Sequence, residues 1–166
     1  MKHLFVARHG KYDSLYRLSE EGKRQIETLG IAIKETLNNG TAYIISSTAP
    51  RATESSQILA SQLGLSGFEN VPYLWTGADS EASPNYGFDF DINRSSNEVI
   101  MKVINNRKER ADGLIVMAHL EFIQGFPLWF HIKEFGRQAL FEEVEKGHAL
   151  HFDLEHKTNQ ILPKTI

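Results

Sequence analysis

The chain has 166 residues, 41% of them hydrophobic and 23% charged, an ordinary globular composition with enough apolar surface for one core over residues 1–166. A formal net charge of −3 provides no global field to draw nucleic acid or an anionic membrane, so any anion must be held by a local group of arginines. There is no cysteine for disulfides or thiolate metal sites, no apolar run near the roughly 18 residues that span a bilayer, and no secretory pattern before Arg8; a cytoplasmic protein is expected.

The first element is short. Leu4 to Ala7 are apolar and run into Arg8, His9 and Gly10, which reads as a strand buried on both faces. In open α/β sheets ligands bind beyond the carboxyl ends of strands, so Arg8 and His9 fall at a functional edge. A polar stretch, 11–17, follows as a loop at that edge. Ser19 is then an N-cap, with Glu20 and Glu21 at the positive end of a helix. Ile26, Leu29, Ile33 and Leu37 share one face of it, and Asn38-Asn39-Gly40 closes it.

Tyr43 to Ile45 form a second strand ending in Ser46-Ser47-Thr48. A helix from about Pro50 to Leu63 follows, with proline in the first turn, where its missing N–H costs nothing. Arg51 is thereby carried to the same edge as His9. Residues 66–94 are the least regular. A short strand is expected over Phe68–Val71, and the aromatic-rich stretch from Trp75 to Phe90 reads as a substrate-covering loop or a packed Ω-loop. Ser95 and Glu98 form a capping box opening the next helix, whose stripe is Val99, Ile100, Val103 and Ile104.

Leu114 to Ala118 make a third buried strand, ending at His119. Phe122, Ile123 and Phe126 share a helical face that Pro127 is expected to end or kink, and Leu128, Trp129, Phe130 and Ile132 read as core. Glu142 to His148 resembles the turn of a hairpin. The alternation of Leu150, Phe152 and Leu154 with His151 and Asp153 predicts a last strand with one buried face. The fold expected is α/β: a three-layer sandwich with a mostly parallel central sheet flanked by helices, and a C-terminal hairpin at the sheet edge.

Three strands thus deliver Arg8 and His9, Arg51, and His119 to one edge. Two arginines and two histidines around a point suit a phosphoryl group. Val6-Ala7-Arg8-His9-Gly10 resembles the Arg-His-Gly signature of the histidine phosphatase superfamily, the phosphoglycerate-mutase-like proteins. Leu18-Ser19-Glu20-Glu21-Gly22 is similar to the family's Leu-Thr-x-x-Gly helix opening, Ser46 to Ala52 to its Ser-Ser-x-x-x-Arg-Ala element, and Val116 to His119 to the strand before its second histidine. In length the chain resembles the small bacterial phosphohistidine phosphatases.

The resemblance implies a phosphatase without metal or cofactor, acting through a phosphohistidine on His9. Its substrate would be a phosphohistidine protein or a small phosphomonoester, and its oligomeric state is open. Arg8 and Arg51 would hold the non-bridging oxygens, and His119 would stabilise the growing charge. Two positions depart from the family pattern. Leu74-Trp75-Thr76 puts a threonine where many members carry a glutamate acid, leaving Asp79 and Glu81 as candidate proton donors; Ala118 stands where glycine usually precedes the second histidine. Without that glutamate, ordinary esters should react slowly and a phosphoramidate less so. The competing readings are a mutase, a phosphate-binding module of the same fold, and a metal hydrolase using His148, His151 and His156.

Overall fold

The computed structural model describes residues 1–71, 74 and 90–164. Six strands form one sheet: β1 (His3–Arg8), β2 (Ala42–Ser46), β3 (Glu69–Asn70), β4 (Gly113–Ala118), β5 (Ala149–Asp153) and β6 (Thr158–Leu162). The helices are α1 (Glu20–Leu37), α2 (Pro50–Gln62), α3 (Phe90–Asn105) and α4 (Leu120–Phe135). The spatial order is β3-β2-β4-β1-β5-β6. Strands β1 to β4 run parallel to one another, while β5 pairs antiparallel with both β1 and β6 and forms with β6 a hairpin at one edge.

The alternation of strand side chains explains the layers. Leu4 and Val6 of β1 and Leu114, Val116 and Ala118 of β4 face one core, with Ile100 and Ile104 of α3 and Phe122, Phe126 and Phe130 of α4. Phe5, Ala7, Ile115 and Met117 face the other, with Ile26, Leu29 and Ile33 of α1 and Ala52 and Leu59 of α2. Every residue of β4 is buried. A strand covered on both faces needs no polar alternation, which is why these runs are apolar throughout.

Helix α1 starts as its sequence predicts: the Ser19 side chain accepts from the Gly22 N–H at 3.1 Å, and Asn38 closes the helix in the left-handed region. Pro50 occupies the first turn of α2. Four expectations need correction. Helix α3 already runs from Phe90, so Ser95 lies inside it and does not cap it. Of the two outcomes expected at Pro127, the ending is excluded, because α4 continues through it to Phe135. Phe126 and Phe130 anchor it to the sheet on either side of the proline, and that burial offsets one lost backbone hydrogen bond. Of the residues read as core in α4, Leu128 and Ile132 are in fact exposed. The hairpin turn is at 154–157, where the Asp153 carboxylate accepts from the Glu155 and His156 N–H groups, and 142–148 is the approach to β5. Strand β5 is consequently not the last, and lying between β1 and β6 it is buried on both faces, His151 included.

Candidate active site

Adjacent strands β2, β4 and β1 end side by side, and their last backbone groups tie the polar turns together. The His9 N–H donates to the Ala118 carbonyl at 3.3 Å, and the Ser47 N–H to the Met117 carbonyl at 2.9 Å. The Gly10 N–H donates to Ser55 Oγ at 3.2 Å, and that hydroxyl donates to the Arg51 carbonyl at 2.7 Å. The β1–α1 turn is therefore bound to the first turns of α2. Gly10 and Gly22 make the turn possible: a Cβ on Gly10 would lie 2.5 Å from the Gly22 carbonyl oxygen, and one on Gly22 would lie 1.9 Å from that of Lys11. Backbone meets backbone here, so neither position has room for a side chain.

The arginine fixes both histidine tautomers. His9 Nδ1 lies 2.8 Å from the Gly10 carbonyl, which can only accept, so Nδ1 carries the proton and Nε2 the lone pair. Arg51 Nε donates to that Nε2 at 3.1 Å, and its Nη2 contacts His119 Nδ1 at 3.2 Å. A guanidinium has no acceptor, so His119 Nδ1 is the accepting atom. His119 Nε2 then bears the proton and donates to Ser47 Oγ at 2.7 Å. The two imidazole centroids are 5.1 Å apart.

Both rings are held neutral. His9 is 3% exposed and its pKa falls to about 4, chiefly through burial; Arg51, Arg8 and Lys146 lower it further, while the Gly10 hydrogen bond works against them. His119 is buried as well, and burial followed by the charges of the His9 site, Arg51 and Arg8 lowers its pKa strongly. Arg8 is anchored differently. Its Nη1 donates to the Val144 carbonyl at 3.0 Å and lies 3.6 Å from Glu143 Oε1, whereas its Nε is buried and makes no hydrogen bond. A buried donor without an acceptor is costly, and an anionic oxygen would relieve that cost.

The structure thus brings His9, Arg51 and His119 into direct contact, with Arg8 within electrostatic reach of both rings. Asp79 and Glu81 lie outside the described residues, as does the stretch 75–90 read as a covering loop, except for Phe90 at the start of α3. Sequence reasoning missed Ser47, Tyr12 and Lys146. The Tyr12 ring packs edge-on to His9 at 5.3 Å, with the Arg51 Cζ 4.9 Å and the Lys146 Nζ 4.4 Å from its centroid. Ser47 carried a signal, since it follows the last residue of β2 in the turn that leads to Arg51. Lys146 carried none, being far from the motif in sequence. His148 and His151 do not converge with His156: His151 is buried against Phe5 and His3, and His156 is exposed beside Asp153.

No sequence-family description and no curated protein matches the chain. Solved structures do. The ecdysone phosphate phosphatase of Bombix mori, in complex with tungstate, superposes with a TM-score of 0.74 at 11% identity, covering 100% of this chain and 95% of that one. A mycobacterial glucosyl-3-phosphoglycerate phosphatase complexed with VO3 gives 0.62 at 14% identity, covering 99% of each chain. This protein therefore has the fold of the histidine phosphatases. The protein histidine phosphatase SixA complexed with tungstate matches with a TM-score of 0.59 at 15% identity, over 96% of this chain and 93% of that one.

Proposed function

We propose that the protein is a histidine phosphatase in which His9 Nε2 attacks phosphorus directly, without a metal. The observation that carries this reading is the His9 tautomer. With its Nδ1 proton fixed on the Gly10 carbonyl, the ring directs a lone pair into the space shared by Arg51 and His119. A pKa near 4 keeps that lone pair available at neutral pH. In the free protein Arg51 donates to it; an arriving phosphoryl oxygen would draw the guanidinium away, since a charge-assisted bond to a dianion is the stronger.

In the first step the Nε2–phosphorus bond forms while the bond from phosphorus to the leaving group breaks, and the leaving atom takes a proton. In the second, water attacks the phosphohistidine, gives up a proton, and the bonding pair returns to Nε2. Dividing the transfer in this way replaces one difficult displacement with two easier ones. Arg8 and Arg51 would neutralise the equatorial oxygens and His119 Nε2–H, or its imidazolium, the developing charge. Asp79 and Glu81 are the candidate donors to the leaving group.

The substrate we favour is a phosphohistidine protein, with small phosphomonoesters as the alternative. Support comes from Thr76 at the position where a glutamate acid is expected, because a phosphoramidate nitrogen depends less on a proton donor than an alkoxide does. The test has two arms. Brief incubation with labelled substrate and an acid-free quench should trap one phosphoryl group per chain, absent in His9→Ala. A phosphohistidine peptide should turn over faster than an aryl phosphate. No trapped label together with full activity in His9→Ala would defeat the mechanism, whereas a large advantage for the aryl ester would defeat only the substrate preference.

A further inference from the structure

Lys146 lies on the segment between α4 and β5, half-buried, with its ammonium on the same Tyr12 ring that contacts Arg51 and His9. We propose that Lys146 is a third cationic ligand of the phosphoryl group and a catalytic residue for its transfer. This rests on the phosphatase reading above.

The backbone places Lys146 firmly. The N–H of the next residue, Gly147, is shared between the carbonyls of Arg8 and His9, each at 3.1 Å. Gly147 has φ +76°, and a Cβ there would stand 2.4 Å from Gln25 Cβ of α1, so the turn admits glycine and little else. The Lys146 Cα is thereby tied to the backbone of the proposed nucleophile itself. Only the flexible stem is left to move the charge.

Charge balance favours the phosphoryl group as its target. Among the described residues, three cations, Arg8, Arg51 and Lys146, stand around His9 against one carboxylate, Glu143, which lies 3.6 Å from Arg8. The local sum is +2, which matches a phosphate dianion; without Lys146 it is +1. Among the described residues no carboxylate pairs with Lys146, and its described partner is an aromatic face. A cation–π contact is weak beside a charge-assisted hydrogen bond to a dianion, so the ammonium would exchange the ring for a phosphoryl oxygen when substrate binds.

Lys146→Met and Lys146→Gln in the full chain test this, with tungstate binding by calorimetry and hydrolysis of an aryl phosphate as readouts. Each variant should bind tungstate about 10-fold more weakly and lose roughly 10- to 100-fold in kcat/KM, with an unchanged circular dichroism spectrum. Lys146→Arg, which keeps the charge, should recover most of both. The acid limb of kcat/KM should also move to higher pH in the uncharged variants, because the Lys146 charge helps to lower the pKa of His9. Wild-type tungstate affinity and kcat/KM in both uncharged variants, beside an active parent, would overturn the role of Lys146 alone. A parent that neither binds tungstate nor forms a phosphoenzyme would overturn the phosphatase reading and this proposal with it.

Discussion

Acidification should weaken this fold well before its carboxylates protonate, and His151 is a principal reason. Gln160 Nε2 donates to His151 Nδ1 at 3.3 Å, so His151 Nε2 bears the proton shared with His3 Nδ1 at 3.1 Å. A second proton on His151 would face the Gln160 amide donor, in a ring stacked on Phe5 at 4.7 Å and 3% exposed. Its pKa is accordingly lowered from 6.5 to about 4, mainly by burial, with His3 adding to the effect and Asp153 opposing it. Between those two values the unfolded chain binds more protons than the folded one, so stability falls as pH falls. Taking 6.5 unfolded and about 4 folded, the linkage is worth about 2 kcal/mol between pH 7 and pH 5 for this one group. His9, shifted equally, adds a similar amount, while exposed His156, raised by Asp153, acts in the opposite sense. Glu69, lowered to about 2 chiefly by its hydrogen bond with Arg107, contributes below this window. Urea unfolding of wild type and His151→Gln at pH 7 and pH 5 measures the difference. The variant should lose about 2 kcal/mol less on acidification. Equal losses in the two proteins would refute the reasoning.

Two substitutions probe the site itself. Arg51→Lys keeps the charge but cannot contact two groups as a planar fork, and should cost roughly 10- to 100-fold in kcat/KM for an aryl phosphate, read by steady-state kinetics. Ser47→Ala removes the acceptor of the buried His119 Nε2–H and of the Ala49 N–H. It should cost about 1–3 kcal/mol in unfolding free energy and release the His119 tautomer, visible as changed imidazole nitrogen shifts.

The parts of the fold that were legible in sequence are those where local chemistry and tertiary demand agree. Ser19, Pro50 and the apolar runs of β1 and β4 state their own roles, and three strand ends sufficed to assemble Arg8, His9, Arg51 and His119 at one edge. The errors fall where a tertiary contact overrides a local signal. Pro127 is carried through α4 because Phe126 and Phe130 bind that helix to the sheet. Strand β6, Thr158–Leu162, is polar because it is an edge, and its partner β5 looked one-sided because the buried residue on its second face is a histidine. Ser95 and Glu98 have the spacing of a cap but sit inside a helix that begins earlier. Lys146 was invisible for another reason. Its proximity to the site depends on backbone hydrogen bonds, from the Gly147 N–H to the Arg8 and His9 carbonyls and from the Arg8 N–H to the His148 carbonyl, which no pattern of residue types announces.

The contact between Gly10 and Gly22 limits how such a protein can diversify. The turn that carries His9 rests on the start of α1 with no side chain between them, so there is no packing layer through which mutation elsewhere in the core might reposition the imidazole. The floor of the site behaves as a fixed part. New substrates must instead be accommodated from the rim, by exchanging residues on the 11–17 loop or on the segment around Lys146, where side chains reach the site without bearing on the backbone beneath it.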